Sequence, residues 1–342
     1  MRSIPLLLCA LALLTGGARA QSAHASTFPP AVQPAQVAVV VNDEEPASVE
    51  VGEFYLKARG VPAQNLIHVR IPNHPHKLDA AQFAQLKEQI DAHLPPYIQA
   101  VLMVWTAPYA VECNSITSAY SLGLDAGLCA KPCGPAKPSA YFNAAPGRLP
   151  SEYGLRLSML LPVETVEAAK ALIERGVLSG FRTPTASAYY LITSETARNS
   201  RAAYFPPSGM VRQKKLTIVN QHADSVEGVK DLMIYQTGMA RVAKLETLQF
   251  APGALADHLT SFGGDLLGDG QMSSLRWLEA GATASYGTVS EPCNYWQKFP
   301  NPPVLLRQYL SGTTAIEAYW KSVAWPEQGV FIGEPLAAPY RH

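Results

Sequence analysis

Between positions 256 and 296 the chain reads ADHLTSFGGDLLGDGQMSSLRWLEAGATASYGTVSEPCNYW. Five side chains in it have the chemistry of a nucleophilic site: Asp257, His258, Ser261, Glu291 and Cys293. His258 supplies a base with an ordinary pKa near neutrality. Ser261 lies three positions on, so on a helical turn the two side chains meet as base and nucleophile. Cys293 follows a predicted strand and stands where open α/β sheets gather their ligands. Paired with His258 it becomes a thiolate nucleophile, with Glu291 orienting the imidazole. Asp257 is a poor orienter for His258, because adjacent residues on a strand face opposite ways.

Other motifs in the chain point away from cofactors and metals. SFGGDLLGDG (261–270) matches neither glycine-rich phosphate cradle, and its glycines read as turn residues with positive φ. His74-Pro75-His76 lacks a third ligand spaced beside it. Asp265 and Asp269 lack the dense oxygen ligands of a calcium loop. No cofactor and no metal is expected. Asn42-Asp43 after the first strand opens toward the same crevice, or serves turn and capping chemistry.

The compartment decides what the cysteines do. The chain begins MRSIPLLLCALALLTGGARA, with Arg2, a short apolar stretch from Ile4 to Leu14 and an Ala-Arg-Ala cleavage pattern. That is the signature of a secretory signal peptide over 1–20, with Cys9 as filler and no transmembrane segment in the mature chain. The expected location is exported, periplasmic or extracellular. Cys113, Cys129, Cys133 and Cys293 remain, an even number suited to two disulfides in an oxidising compartment. Three pairings are open, Cys129 with Cys133 among them. Cys293 is then either half of a disulfide or a free thiol. Lys and Arg number 27, and without Arg2 and Arg19 the remaining 25 face 27 acidic residues. A near-neutral chain lacks the concentrated positive surface that nucleic acid requires.

The elements that must position these residues follow a regular rhythm. After a leader rich in Ala, Ser, Pro and Gln (21–35), QVAVVVN reads as a strand buried on both faces. A helix follows from Pro46 to a stop at Gly60. NLIHVRI and IQAVLMVW are strands around a helix with Phe83, Leu86 and Ile90 on one face. This β-α-β-α-β order predicts a parallel sheet with right-handed crossovers. Residues 106–155 interrupt it as a loop-rich excursion containing GLCAKPCGPAKP. Then come a helix (163–180), strands around 186–195, 214–221 and 230–238, a helix near 273–281, a strand at 282–289 and a helix capped by Thr314 and Glu317. Residues 36–342 read as a single α/β domain.

The segments 252–302 (PGALADHLTSF…NYWQKFPNP) and 315–340 (AIEAYWKSVAWPEQGVFIGEPLAAPY) resemble an uncharacterised group of exported bacterial proteins found in genomes that carry exosortase. The resemblance implies export and a link to envelope sorting, and no particular reaction. The final third, with AGATASYGTV between two helices and then GEPL, resembles gingipain-type cysteine peptidases, which share the caspase-like α/β fold. In those enzymes one strand ends in His-Gly and a later one in the nucleophilic cysteine. Here Leu232–Tyr235 is followed by Gln236-Thr237-Gly238, the second position falls near His258 to Ser261, and the thiol available is Cys293. The expected fold is therefore a three-layer caspase/gingipain-like one, with a mostly parallel sheet and helices on both faces. The expected function is a hydrolase-like, peptidase-derived envelope protein, a cysteine or serine hydrolase. The alternative is a catalytically silent accessory protein whose crevice takes a peptide, a protein or a glycan.

Overall fold

A computed structural model describes residues 28–341. The expected signal peptide, and the leader up to residue 27, lie outside the described residues. The rest of the leader is docked rather than loose. Ala31 and Val32 are buried, and the Val32 amide donates to Glu317 Oε2 at 3.1 Å.

The first strands form as the sequence predicts: β1 (Val37–Asn42), β2 (Leu66–Val69) and β4 (Ala100–Val104). The β1 valines are all fully buried, which a strand with helices on both faces requires. Helix α1 (Pro46–Arg59) starts on Pro46 and ends at Gly60 in the left-handed region, φ 66°. Helix α2 (Ala80–Asp91) carries a capping box from Asp79 and Gln82, and it buries Phe83, Leu86 and Ile90. The excursion contributes β5 (Ala110–Val111), β6 (Asn114–Ser115) and helix α3 (Ile116–Leu122), and its two strands join β3 (Lys77–Leu78) in a small second sheet.

The sheet continues with β7 (Leu157–Leu160), helix α4 (Val166–Leu178), β8 (Ala186–Ile192), β9 (Gly209–Val211), β10 (Leu216–His222) and β11 (Leu232–Thr237). Next come β12 (Phe250–His258), α5 (Leu275–Glu279), β13 (Ala284–Thr288), α6 (Pro302–Leu310), α7 (Ala315–Ser322) and β14 (Gly329–Gly333). Eleven strands make one sheet in the order β2-β1-β4-β7-β14-β13-β12-β11-β8-β10-β9. The β1, β2, β4 and β7 pairings are parallel, as are those joining β10, β8, β11, β12 and β13. The exceptions are the edge strand β9 and β14, which runs antiparallel to β13. Helices α1, α4 and α5 cover one face; α3, α6 and α7 cover the other. The expected three-layer α/β architecture with a mostly parallel sheet is the one observed. No helix among the described residues is long and apolar enough to cross a membrane.

Four strands of the large sheet, β7, β9, β12 and β14, were not assigned from sequence, nor were the short β3, β5 and β6. β7 is only four residues long, β14 begins and ends in glycine, and β12 carries Pro252 and Gly253 near its start. Gly253 adopts φ 88°, and a Cβ there would meet Ser179 and Pro339 at about 3 Å. Tertiary packing, not local propensity, makes β12 a strand.

The excursion is fastened to the carboxyl edge of the sheet. Tyr109 O–H donates to Asp265 in the loop after β12, and Ser290 Oγ after β13 donates to the Cys113 carbonyl at 2.6 Å. Two disulfides complete the fastening, Cys113–Cys129 and Cys133–Cys293. The local pairing of Cys129 with Cys133 is thus replaced by one short bridge inside the excursion and one bridge that spans 160 residues.

Candidate functional site

Strands β11 and β12 lie side by side with Thr237 opposite His258, so their carboxyl ends share one stretch of the sheet edge. Alternation along β12 sends Asp257 and His258 to opposite faces. Their surroundings could hardly differ more from those of a reactive pair.

On one face Asp257 is fully buried and ion-paired with Arg201, which is also buried. Its other oxygen accepts from Gln236 Nε2 at 2.9 Å. Arg201 further donates to the carbonyls of Thr237 at 2.8 Å and Pro300 at 3.1 Å. Burial pushes the Asp257 carboxyl up, against the pull of Arg201 and Gln236. The pair clamps the loop after β8 and the segment before α6 onto the sheet.

On the other face His258 sits in a second, smaller core cluster around Trp277 of α5. Nδ1 accepts from Trp277 Nε1 at 2.9 Å, which leaves the proton on Nε2, and Nε2–H donates to the Met272 carbonyl at 3.0 Å. Both ring nitrogens are used. Burial pushes the imidazole from its ordinary 6.5 down to about 3; the Met272 carbonyl opposes this, while Arg201 and Arg198 add to it. A ring that is neutral, enclosed and doubly hydrogen-bonded accepts no proton from a nucleophile.

The remaining residues are not brought to it. His258 ends a strand, so the helical i,i+3 geometry expected for Ser261 is absent, and no hydrogen bond joins the two among the described residues. Ser261 instead offers its carbonyl to Thr288 Oγ1 at 2.9 Å. Glu291 Oε1 accepts the Cys293 amide at 2.7 Å and so closes a turn in which Cys293 and Asn294 have φ near +55°. Cys293 is bonded to Cys133, which removes the thiolate expected of a free residue. The glycines of 261–270 also work differently from expectation. Gly263 and Gly264 are not at positive φ; a Cβ on Gly264 would stand 2.4 Å from the Gly287 carbonyl. They let the loop lie directly on β13. Asn42 serves its own turn, receiving the Ile71 and Glu44 amides on Oδ1 and donating to Glu45.

The carboxyl edge does hold a cleft of about 570 Å³ between the segments 241–246 and 266–276, with Glu164, Glu246, Asp269 and Arg276 among its walls. Met272 belongs to that wall, so its carbonyl separates the cleft from His258. Beside it, Arg198 Nε donates to Thr260 Oγ1 at 3.2 Å, and Gln271 Oε1 accepts from Thr260 Oγ1 and the Phe262 amide. Burial pushes the Glu164 carboxyl up, and the neighbouring Glu279 adds to the rise. This lining has donors, acceptors and both charges, and can hold a polar chain. Arg198, Arg201 and Gln271 escaped the sequence reading because no local spacing links them to 257–260. The Trp277 indole was legible only as a helix face.

No family model and no curated protein matches the chain. Among solved structures it is similar to the Arg-specific cysteine proteinase gingipain R, with a TM-score of 0.50 and 11% identity over 91% of this chain and 80% of that one. A complex of Porphyromonas gingivalis RgpB pro- and mature domains matches with a TM-score of 0.46 and 11% identity, over 89% of this chain and 79% of that one. A further match, described as the structure of a protease, has a TM-score of 0.47 and 10% identity over 91% and 79%. At such identity the likeness concerns the fold: this chain has the caspase-like architecture of gingipain cysteine proteinases.

Proposed function

We propose that this is an exported, peptidase-derived binding protein that holds a peptide or protein segment in the carboxyl-edge cleft and lacks a cysteine–histidine dyad. One observation carries the reading. The thiol that the dyad needs is in a disulfide, and the imidazole it needs is buried, neutral and hydrogen-bonded on both nitrogens. Fold likeness supplies the scaffold and nothing about reaction. Two disulfides favour an oxidising compartment and so support export. The single α/β domain over 36–342 and the tie to exosortase-linked envelope sorting belong to the same reading.

The test exposes the oxidised mature protein to a fluorophosphonate and to an iodoacetamide probe, with mass-spectrometric mapping. Neither Ser261 nor Cys293 should be labelled, and an immobilised peptide array should retain the protein. Stoichiometric fluorophosphonate labelling at Ser261 would return the hydrolase to first place. Export is checked separately by cell fractionation of the full chain.

A further inference from the structure

A second groove lies away from this edge cleft and shares none of its lining residues. It encloses about 530 Å³ between the end of α3, the 137–140 segment and Glu327, with Asp125 and Tyr153 on its walls. Glu327 stands just before β14 and is only 6% exposed, and its Oε2 has no hydrogen-bond partner among the described residues. An unmatched carboxyl oxygen in so dry a place is costly to the fold.

Nearby cations do not meet it. Lys298 gives its ammonium to the Pro132 carbonyl, and Lys137 presents its backbone amide to the carboxyl rather than its side chain. Burial raises the Glu327 pKa and the exposed Asp125 adds to the rise, while backbone amides and Lys298 pull it down. The negative charge of Asp125 therefore falls on the same end of the groove. The groove runs on into a hollow of about 410 Å³ with which it shares Ser121, Gly123, Gly154 and Leu155. There Arg156 has its Nε buried and without a partner among the described residues. An elongated channel, with Glu327 and Asp125 outnumbering Lys137 at one end and Arg156 and Lys87 outnumbering Asp91 at the other, suits an extended chain better than a point ion.

From this we infer that the Glu327 groove is a binding site for a basic side chain, an ammonium or guanidinium on an extended peptide segment that runs toward Arg156. The cation gives Glu327 the charge-assisted hydrogen bond it lacks, with Asp125 as the outer electrostatic partner.

The test titrates the full oxidised protein calorimetrically with acetyl-Gly-Gly-Arg-Gly-Gly-amide and with the same peptide carrying citrulline, the neutral isostere. The arginine peptide should bind at least about tenfold more tightly, the scale of one charge-assisted hydrogen bond. Glu327→Gln should bring the two peptides level, and Asp125→Asn should weaken the arginine peptide about threefold through the lost outer charge. Equal binding of both peptides to the unaltered protein, binding of neither, or discrimination that survives in Glu327→Gln overturns the assignment. Should Glu327→Gln fail to fold by far-ultraviolet circular dichroism, Asp125→Lys at the exposed position decides. It must abolish the preference for arginine, and a preference that persists overturns the site. Because the two clefts share no residues, labelling at Ser261 and loss of arginine discrimination are independent results.

Discussion

His258 and Glu327 are both buried titratable residues beside strand ends, and they have opposite relations to their surroundings. The ring of His258 has a donor for one nitrogen and an acceptor for the other, inside a packed aromatic cluster. Glu327 keeps a buried oxygen without a partner and is part of the wall of an open groove. The first arrangement describes a group consumed by the fold. The second describes a group held available. Residue type alone singles out His258; Glu327 comes forward only when an unpartnered buried oxygen and a place on the groove wall are taken together.

That contrast is breakable, and the largest effect should come from the buried ion pair on the face of β12 opposite His258. Arg201→Ala strands Asp257 as an unpaired buried charge and frees three carbonyl or carboxylate contacts, so urea unfolding should show a loss of about 3–5 kcal/mol. Removing the long disulfide with Cys133→Ser and Cys293→Ser should cost about 2–4 kcal/mol in the same measurement. Peptide capture by the folded double variant should stay intact, since no thiol chemistry is involved.

His258 then sharpens the comparison through pH. Its folded pKa, about 3, lies below the ordinary 6.5, so the neutral ring stabilises the fold above pH 6.5. This contribution is lost progressively as pH falls from 6.5 toward 3, because only the unfolded chain takes up the proton there. Chemical denaturation across that window should show a steep decline for the unaltered protein and a visibly flatter one for His258→Gln. An identical slope in both would mean that the ring is solvated. The smallest loss is expected at Glu327: Glu327→Gln should lower unfolding stability by less than about 1 kcal/mol or raise it, since no hydrogen bond to Oε2 is broken and a costly buried charge is removed. A loss comparable to that of Arg201→Ala would make Glu327 a structural residue and dissolve the contrast.

Much of the scaffold was legible in the chain. The valine run of β1, the proline and glycine that bracket α1, and the Thr314–Glu317 box at α7 all report local chemistry that the tertiary structure leaves unopposed. Glu317 even does more than expected, accepting the Thr314 hydroxyl and the Val32 amide. Strand β12 was not legible, because its proline and glycine oppose a strand and only neighbours on both sides enforce one. The candidate site was legible in part. No spacing marked the cleft between 241–246 and 266–276, while adjacency on a strand correctly separated Asp257 from His258. Their true partners, Arg201 and Trp277, lie 56 and 19 positions away, beyond any spacing rule. The pairing of Cys133 with Cys293 is set by the excursion folding over the carboxyl edge, which four cysteine positions alone cannot encode.

That long bridge also makes the polypeptide topologically closed. The exposed segment 207–210, which leads into edge strand β9 and where Met210 is 61% exposed, invites a protease. A cut there separates two lengths of chain that contribute alternating parts of one sheet, yet Cys133 lies on one length and Cys293 on the other. The nicked molecule therefore travels as a single covalent species and divides in two only when a reductant reaches it.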